Sequence, residues 1–169
     1  MLAPLSLLQD GKPVKIIVSK NATAADTKIA TDIMKIFGDI TNVTMFPKQD
    51  TEAVGEDEVA ILVGNTVIPE SDLVYRELEQ TYGYSYGTVR VKNNKIVIAG
   101  LSDSVKERCA NELKKEINKL SIKSENIELS RDYCVDILDS KMLNNIPVSQ
   151  DIKAQSAIDT GDSCYMVNF

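Results

Sequence analysis

Residues 59–63 constrain the fold more than any other part of the sequence. All five residues of this run, VAILV, are apolar. An unbroken apolar run of this length fits a strand that is covered on both of its faces. Such a strand lies inside a sheet and not at its edge, so the chain needs several strands and a packed layer over each face of this one.

An amphipathic helix is predicted upstream of this strand. Apolar residues recur at helical spacing over residues 25–40, and we place the end of the helix at Thr41. Thr23 and Asp26 have the three-residue spacing of a helix-start signal. Asn42 suits the left-handed position that commonly follows a helix.

A second amphipathic helix is predicted over residues 105–120, where one face is apolar. Ser104 and Glu107 have the spacing of a capping box at its start. Between the two helices, Pro69 opens a shorter helix-like segment.

The remaining apolar runs predict strands, and Asn93 with Asn94 predicts the turn of a hairpin. The predicted strands cover residues 14–18, 43–46, 84–91 and 95–99, with one or two more within residues 126–138. This order of elements predicts an α+β fold, a two-layer α/β arrangement. Its mixed β-sheet carries the two long amphipathic helices on one face.

The composition changes after residue 138. Residues 141–150 are polar and contain Pro147, which is typical of a linker. The run at residues 164–169 is apolar and strand-like. We therefore predict one domain over residues 1–138, and a linker with the start of a following segment or module over residues 139–169.

The residue counts exclude several kinds of chemistry. The sequence has no histidine, which excludes Ser-His-Asp and Cys-His nucleophiles, imidazole acid–base catalysis and histidine-ligated metals. Cys109, Cys134 and Cys164 are too far apart for a CxxC motif. Cys109 lies on the apolar face of the second long helix and is expected to be buried. One pair of cysteines could still form a disulfide.

The charge of the chain and the length of its apolar runs argue against two kinds of partner. Its net charge is −6 and it has no basic stripe, so we expect no nucleic-acid partner. No run of 18 apolar residues occurs, so we also expect no membrane insertion.

Three local motifs have a chemical and a structural interpretation. Asp159-Thr160-Gly161 matches the aspartic-protease triplet, but only eight residues follow it, so a glycine turn is the better interpretation. An acidic loop could hold Ca²⁺, but its spacing does not match the EF-hand pattern, so a solvated loop is expected. The acidic residues of this loop are Asp50, Glu52, Glu56, Asp57 and Glu58.

The turn after the first strand, residues 19–23, lacks the glycines of a nucleotide-binding loop. We therefore predict no catalytic residue, no cofactor-binding residue and no metal site.

A cluster of tyrosines is the one candidate contact surface. Tyr82, Tyr84 and Tyr86 are close in sequence, and exposed aromatic rings can stack on sugar rings or on a neighbouring module. Packing within their own domain is the alternative interpretation.

Several motifs in this order resemble a known family. The motifs are VKIIV at 14–18, AILVGNT at 60–66, GYSY at 83–86 and IVIAG at 96–100, with the last followed by a helix. Over residues 12–122 the sequence resembles the small N-terminal domain that precedes the catalytic barrel in three groups of enzymes. These are β-N-acetylhexosaminidases, xylan-degrading α-glucuronidases and O-GlcNAcase-like hyaluronidases.

This resemblance implies a zincin-like fold without the zinc-protease centre, and glycosidase carboxylates in a following barrel. No functional residue carries over to this chain. The implied function is a non-catalytic accessory domain of a secreted, bacterial extracellular or cell-surface protein that acts on carbohydrate, with neighbouring domains and carbohydrate as partners. The alternatives are a glycan-binding module using the tyrosines and a small hydrolase using carboxylates.

Overall fold

The computed structural model describes residues 3–42, 44, 46–51, 54–81, 86–123, 125–138 and 165–168. Within these residues the chain forms three helices and ten strands. In chain order they are β1 (Leu5–Gln9), β2 (Lys12–Pro13), β3 (Lys15–Val18), α1 (Ala24–Thr41), β4 (Lys48–Gln49), β5 (Ala60–Val63), α2 (Pro69–Thr81), β6 (Tyr86–Lys92), β7 (Lys95–Gly100), α3 (Asp103–Lys123), β8 (Ile127–Leu129), β9 (Cys134–Leu138) and β10 (Tyr165–Asn168).

Seven of the described strands form one mixed sheet in the order β10-β9-β6-β7-β5-β3-β4. Strands β4, β3, β5 and β7 are parallel to their neighbours in this series, with Ile61 of β5 between Ile16 and Ile96. Strand β6 is antiparallel to both β7 and β9, and β10 is parallel to β9. Strands β2, β1 and β8 form a second, antiparallel sheet. The predicted α+β fold with a mixed sheet is confirmed.

Helices cover both faces of the large sheet. The two long helices, α1 and α3, contact each other and share one core with β1 and β8. Helix α2 packs on the opposite face through Val74 and Leu78. Strand β5 lies between the layers: Ile61 and Val63 face the α1–α3 side, and Leu62 faces α2. All of its residues are buried, as its unbroken apolar run predicts.

The ends of α1 follow the sequence signals. The Thr23 hydroxyl accepts a hydrogen bond from the Asp26 amide at 3.1 Å, and an Asp26 oxygen accepts one from the Thr23 amide at 3.2 Å, which completes a capping box. Asn42 ends the helix in the left-handed region with φ +59°. Both predictions for α1 are confirmed.

The predicted cap of α3 is wrong. The helix begins at Asp103, and its first turn is capped by Ser102, whose hydroxyl accepts a hydrogen bond from the Val105 amide at 3.4 Å. Ser104 and Glu107 lie inside the helix. Both serines precede the apolar stripe, and the spacing rule selected the later one.

Two strand predictions also need correction. Of the predicted strand at 43–46, the described residues Thr44 and Phe46 are not in a strand, and Phe46 is 74% exposed. The strand lies further on, at Lys48–Gln49, where the polar and acidic run of residues 48–58 predicts a loop. Strand β1 was not predicted, because no regular alternation marks it. Leu5, Leu7 and Leu8 are nevertheless buried there.

The apolar run near the end of the sequence contributes to the same sheet. Tyr165–Asn168 forms β10, which pairs with β9 over four residues. Residues 139–164 lie outside the described residues, and so does Asp159-Thr160-Gly161.

Candidate functional site

The carboxyl ends of parallel strands are where open α/β sheets usually bind ligands. Here those ends belong to β3, β5 and β7, which lie side by side. The start of α1 follows β3, a loop leading to α2 follows β5, and α3 follows β7. A pocket for a substrate is therefore expected first at this edge.

A buried ion pair lies at this edge. Asp26 at the start of α1 and Lys106 in the first turn of α3 face each other, with 2.5 Å between Asp26 Oδ1 and Lys106 Nζ. Each side chain is only 6% exposed. The second Asp26 oxygen accepts the hydrogen bond from the Thr23 amide that caps α1. The pair thereby fixes the starts of the two long helices to each other.

Two glycines make room for this pair. A Cβ atom on Gly64, just after β5, would lie 2.7 Å from an Asp26 carboxylate oxygen. A Cβ atom on Gly100, at the end of β7, would lie 2.9 Å from the Lys106 backbone nitrogen. Both separations are shorter than van der Waals contact, so a side chain at either position would displace the ion pair or the helix that carries it.

Lys106 is the charged partner of Asp26 at this edge. Burial by itself would lower the pKa of Lys106, but the hydrogen bond to Asp26 and the neighbouring Tyr75 and Asp103 outweigh it, so the pKa of Lys106 is raised. The raised pKa favours the protonated ammonium group that the ion pair requires. Burial raises the pKa of Tyr75, whose hydroxyl accepts a hydrogen bond from the Gly100 amide at 3.3 Å.

Two carboxylates of the acidic loop, Asp50 and Glu58, make internal contacts, whereas Glu56 and Asp57 are exposed. Asp50 is 5% exposed, and its two oxygens accept hydrogen bonds from the Lys20 amide at 3.0 Å and the Val67 amide at 2.9 Å. Glu58 pairs with Lys15 at 3.0 Å and accepts a hydrogen bond from the Gly55 amide at 3.1 Å. Together these two contacts lower the pKa of Glu58. Across the described part of the chain, no three of the acidic and cysteine side chains are placed to hold a metal ion together.

A second buried charged cluster lies on the α2 face of β6 and β9. The Arg90 guanidinium donates to Asp136 at 2.9 Å, to Glu77 of α2 at 2.6 Å and to the Thr88 hydroxyl at 3.1 Å. The Thr88 hydroxyl in turn donates to Asp136 at 2.7 Å. Lys92 contacts the other Glu77 oxygen at 2.5 Å. This cluster ties α2 to the sheet.

A third set of contacts holds the loop that precedes β5. It lies at the amino ends of the parallel strands, opposite the Asp26–Lys106 pair. Lys95 is 1% exposed, and its ammonium donates to the carbonyl oxygens of Gly55, Glu56 and Glu58 at 3.0, 3.2 and 2.6 Å. Lys95, Arg90 and Lys106 are not among the site residues that the sequence predicts. A lysine within an apolar strand pattern, as at position 95, is the one signal that pointed to such a contact.

The tyrosine surface is only partly described. Tyr86 is 4% exposed and packs in the core with α2. A buried ring offers no face to a sugar, so for Tyr86 the structure favours packing within the domain over glycan contact. Tyr82 and Tyr84 lie outside the described residues.

The cysteines and the helices complete the site description. Cys109 is free and buried, as expected from its place on the apolar face, and burial raises its pKa. Among the described residues, no helix has both the length and the apolar character needed to cross a bilayer.

No model of a known protein family matches the sequence, and no curated protein matches it.

Proposed function

We propose that this chain is a non-catalytic accessory domain of a larger secreted protein that acts on carbohydrate. One observation carries the non-catalytic part of the proposal. At the edge of the sheet where a ligand would be expected, the described residues include the Asp26–Lys106 ion pair, whose two side chains are each 6% exposed. The pair links the starts of two helices, which supports a structural role for both side chains.

The chemistry that the sequence leaves open also finds no support at this edge. Without histidine, hydrolysis would need a pair of carboxylates around a reacting bond. Asp26 caps α1 and pairs with Lys106, and Asp50 accepts two backbone hydrogen bonds. Each of these carboxylates has a structural role that uses its oxygens.

The carbohydrate context rests on the resemblance to the N-terminal domain of β-N-acetylhexosaminidases and related enzymes. Two motifs carry much of this resemblance. AILVGNT contains Gly64, and IVIAG ends in Gly100. These are the two glycines against which Asp26 and Lys106 pack. The motifs thus have a structural reason that does not involve catalysis, which fits a domain whose catalytic partner lies elsewhere.

An activity screen tests the non-catalytic proposal. The purified chain is incubated with a panel of aryl glycosides and with xylan and chitin oligosaccharides, and product release is compared with a blank. We expect no release above the blank. Turnover that disappears on substitution of one Asp or Glu, while the melting temperature is retained, would overturn the proposal in favour of a carboxylate-dependent hydrolase.

The parent context and glycan binding need separate measurements. Reading the gene beyond residue 169 tests the first: we expect a catalytic module in the same reading frame, and its absence would contradict the accessory role. Titration of the chain with oligosaccharides, followed by tyrosine fluorescence, tests the second. A saturable change lost in Tyr82→Ala or Tyr84→Ala would identify a glycan-binding module instead.

A further inference from the structure

The three cysteines of the chain are not equivalent. Cys134, at the start of β9, is disulfide-bonded, whereas Cys109 in α3 is free and buried. The sequence contains one further cysteine, Cys164, which lies outside the described residues and immediately precedes β10. We infer that Cys134 is bonded to Cys164, and that this disulfide fastens β10 to the edge of the large sheet.

The register of the two strands supports this pairing. Strands β9 and β10 are parallel, with Val135 opposite Tyr165 and the pairing continuing one residue at a time to the end of both strands. Cys134 and Cys164 each come one residue before this pair in the sequence. Neighbouring strands lie about 4.8 Å apart, within the range of about 4.4–6.8 Å between the Cα atoms of disulfide-bonded cysteines. Continuing this register back by one residue would bring Cys134 and Cys164 to bonding distance.

The bond would add to the pairing of β10 with the sheet. Among the described strands, β10 is at the end of the large sheet and has β9 as its one neighbour. Its pairing must also close a segment of about 30 residues, which costs conformational entropy that grows with segment length. A covalent bond at the first residue of the pair removes most of this cost, because the segment is already closed before β10 pairs.

The chemistry selects this pair and leaves Cys109 out. The Cys109 thiol is fully buried, and burial raises its pKa, so it is not available as a thiolate for exchange. Forming the bond removes two protons and two electrons from the other two thiols. A glutathione-type or protein disulfide accepts the electrons and is reduced to two thiols. Such a bond persists in oxidising compartments, which agrees with a secreted parent protein but does not depend on that proposal.

Counting thiols by mass tests the pairing. The protein is refolded with oxidised and reduced glutathione, unfolded in guanidinium chloride and alkylated with iodoacetamide. We expect one label before reduction, on Cys109, and three labels after it. A proteolytic digest without reductant should give one cross-linked peptide pair containing Cys134 and Cys164. Three labels before reduction, or a cross-link that contains Cys109, would overturn the inference.

Hydrogen exchange tests what the bond does. In Cys164→Ser we expect the β9 amides that point toward β10 to exchange at least about tenfold faster than in the wild type, with β7 amides unchanged. Cys134→Ser and the double variant should match Cys164→Ser, because each breaks the same bond. Cys109→Ala is the control and should leave β9 exchange unchanged. Equal β9 exchange in the wild type and Cys164→Ser would show that the bond does not hold β10.

Discussion

Replacing Gly64 with alanine should destabilise the domain far more than the same change at Gly11. The two glycines have nearly the same backbone conformation, with φ +76° and +77°. An alanine at either position has to adopt the left-handed region, which costs about 1–2 kcal/mol. A small gain of about 0.4–1 kcal/mol from the stiffer unfolded chain offsets part of this cost. The backbone contribution is therefore the same at both sites.

The two sites differ in what the added methyl group meets. At Gly11 nothing lies within 4 Å of the new Cβ atom, whereas at Gly64 the Asp26 carboxylate lies 2.7 Å away. Asp26 cannot rotate aside without leaving both the Thr23 amide and the Lys106 ammonium. A buried charge separated from its partner costs about 3–5 kcal/mol. We expect Gly11→Ala to cost about 1 kcal/mol, and Gly64→Ala to cost a further 3–5 kcal/mol.

Urea unfolding followed by far-UV circular dichroism measures both variants. The midpoint for Gly64→Ala should fall well below that for Gly11→Ala, with the slope m unchanged. In an Asp26→Ala background the extra cost at Gly64 should largely vanish, because the carboxylate that the methyl group meets is gone. If the free energies of unfolding of the two glycine variants agree within about 0.5 kcal/mol, Gly64 does not approach the ion pair closely, and the predicted role of Gly64 is wrong.

Three further predictions concern the buried charges. Lys106→Met should lower the free energy of unfolding by about 3–5 kcal/mol, because Asp26 stays buried without its partner, and a change below about 1 kcal/mol would contradict this. The folded-state pKa of Lys106 is raised above its usual 10.5, so the stability that it contributes is complete below pH about 10 and is lost as the pH rises through the folded pKa. The stability difference between the wild type and Lys106→Met, measured by urea unfolding, should therefore shrink only above that pH. Arg90→Lys should cost about 2–3 kcal/mol, because one ammonium cannot replace the guanidinium contacts to Asp136, Glu77 and Thr88; thermal unfolding of the variant, with exposed Arg76→Lys as the control, measures this.

The sequence predicts the central elements of the fold well because each has a strong local signal. The helical spacing of apolar residues located α1 and α3, and the unbroken run of β5 placed that strand inside the sheet. The cap at Thr23 and the left-handed Asn42 were also local patterns. The misplaced elements lack such signals. Strand β4 has only two residues, and it is fixed by pairing with β3, which is distant in sequence.

The charged clusters could not be predicted from the sequence because their members are far apart in it. Asp26 and Lys106 come from α1 and α3, and Arg90 and Asp136 come from β6 and β9. Charged residues are mostly exposed in folded proteins, so each of these residues had a solvated position as its default interpretation. Only the sheet order brings the partners together. Gly64, directly after β5, and Gly100, the last residue of β7, were the available sign of the first cluster, because a glycine in a strand pattern often marks a close approach of other atoms to the backbone.

The Asp26–Lys106 ion pair lies where many α/β sheets bind an anion, at the start of a helix that follows a parallel strand. The start of a helix carries partial positive charge, which in many α/β proteins attracts a bound anion. Here the Asp26 carboxylate takes that place at the start of α1, and Lys106 from the neighbouring helix neutralises it. A free anion would have to displace a side chain that is tethered in position and already paired. The residues that link α1 to α3 therefore also occupy the anion position at the start of α1, so one ion pair accounts for both features.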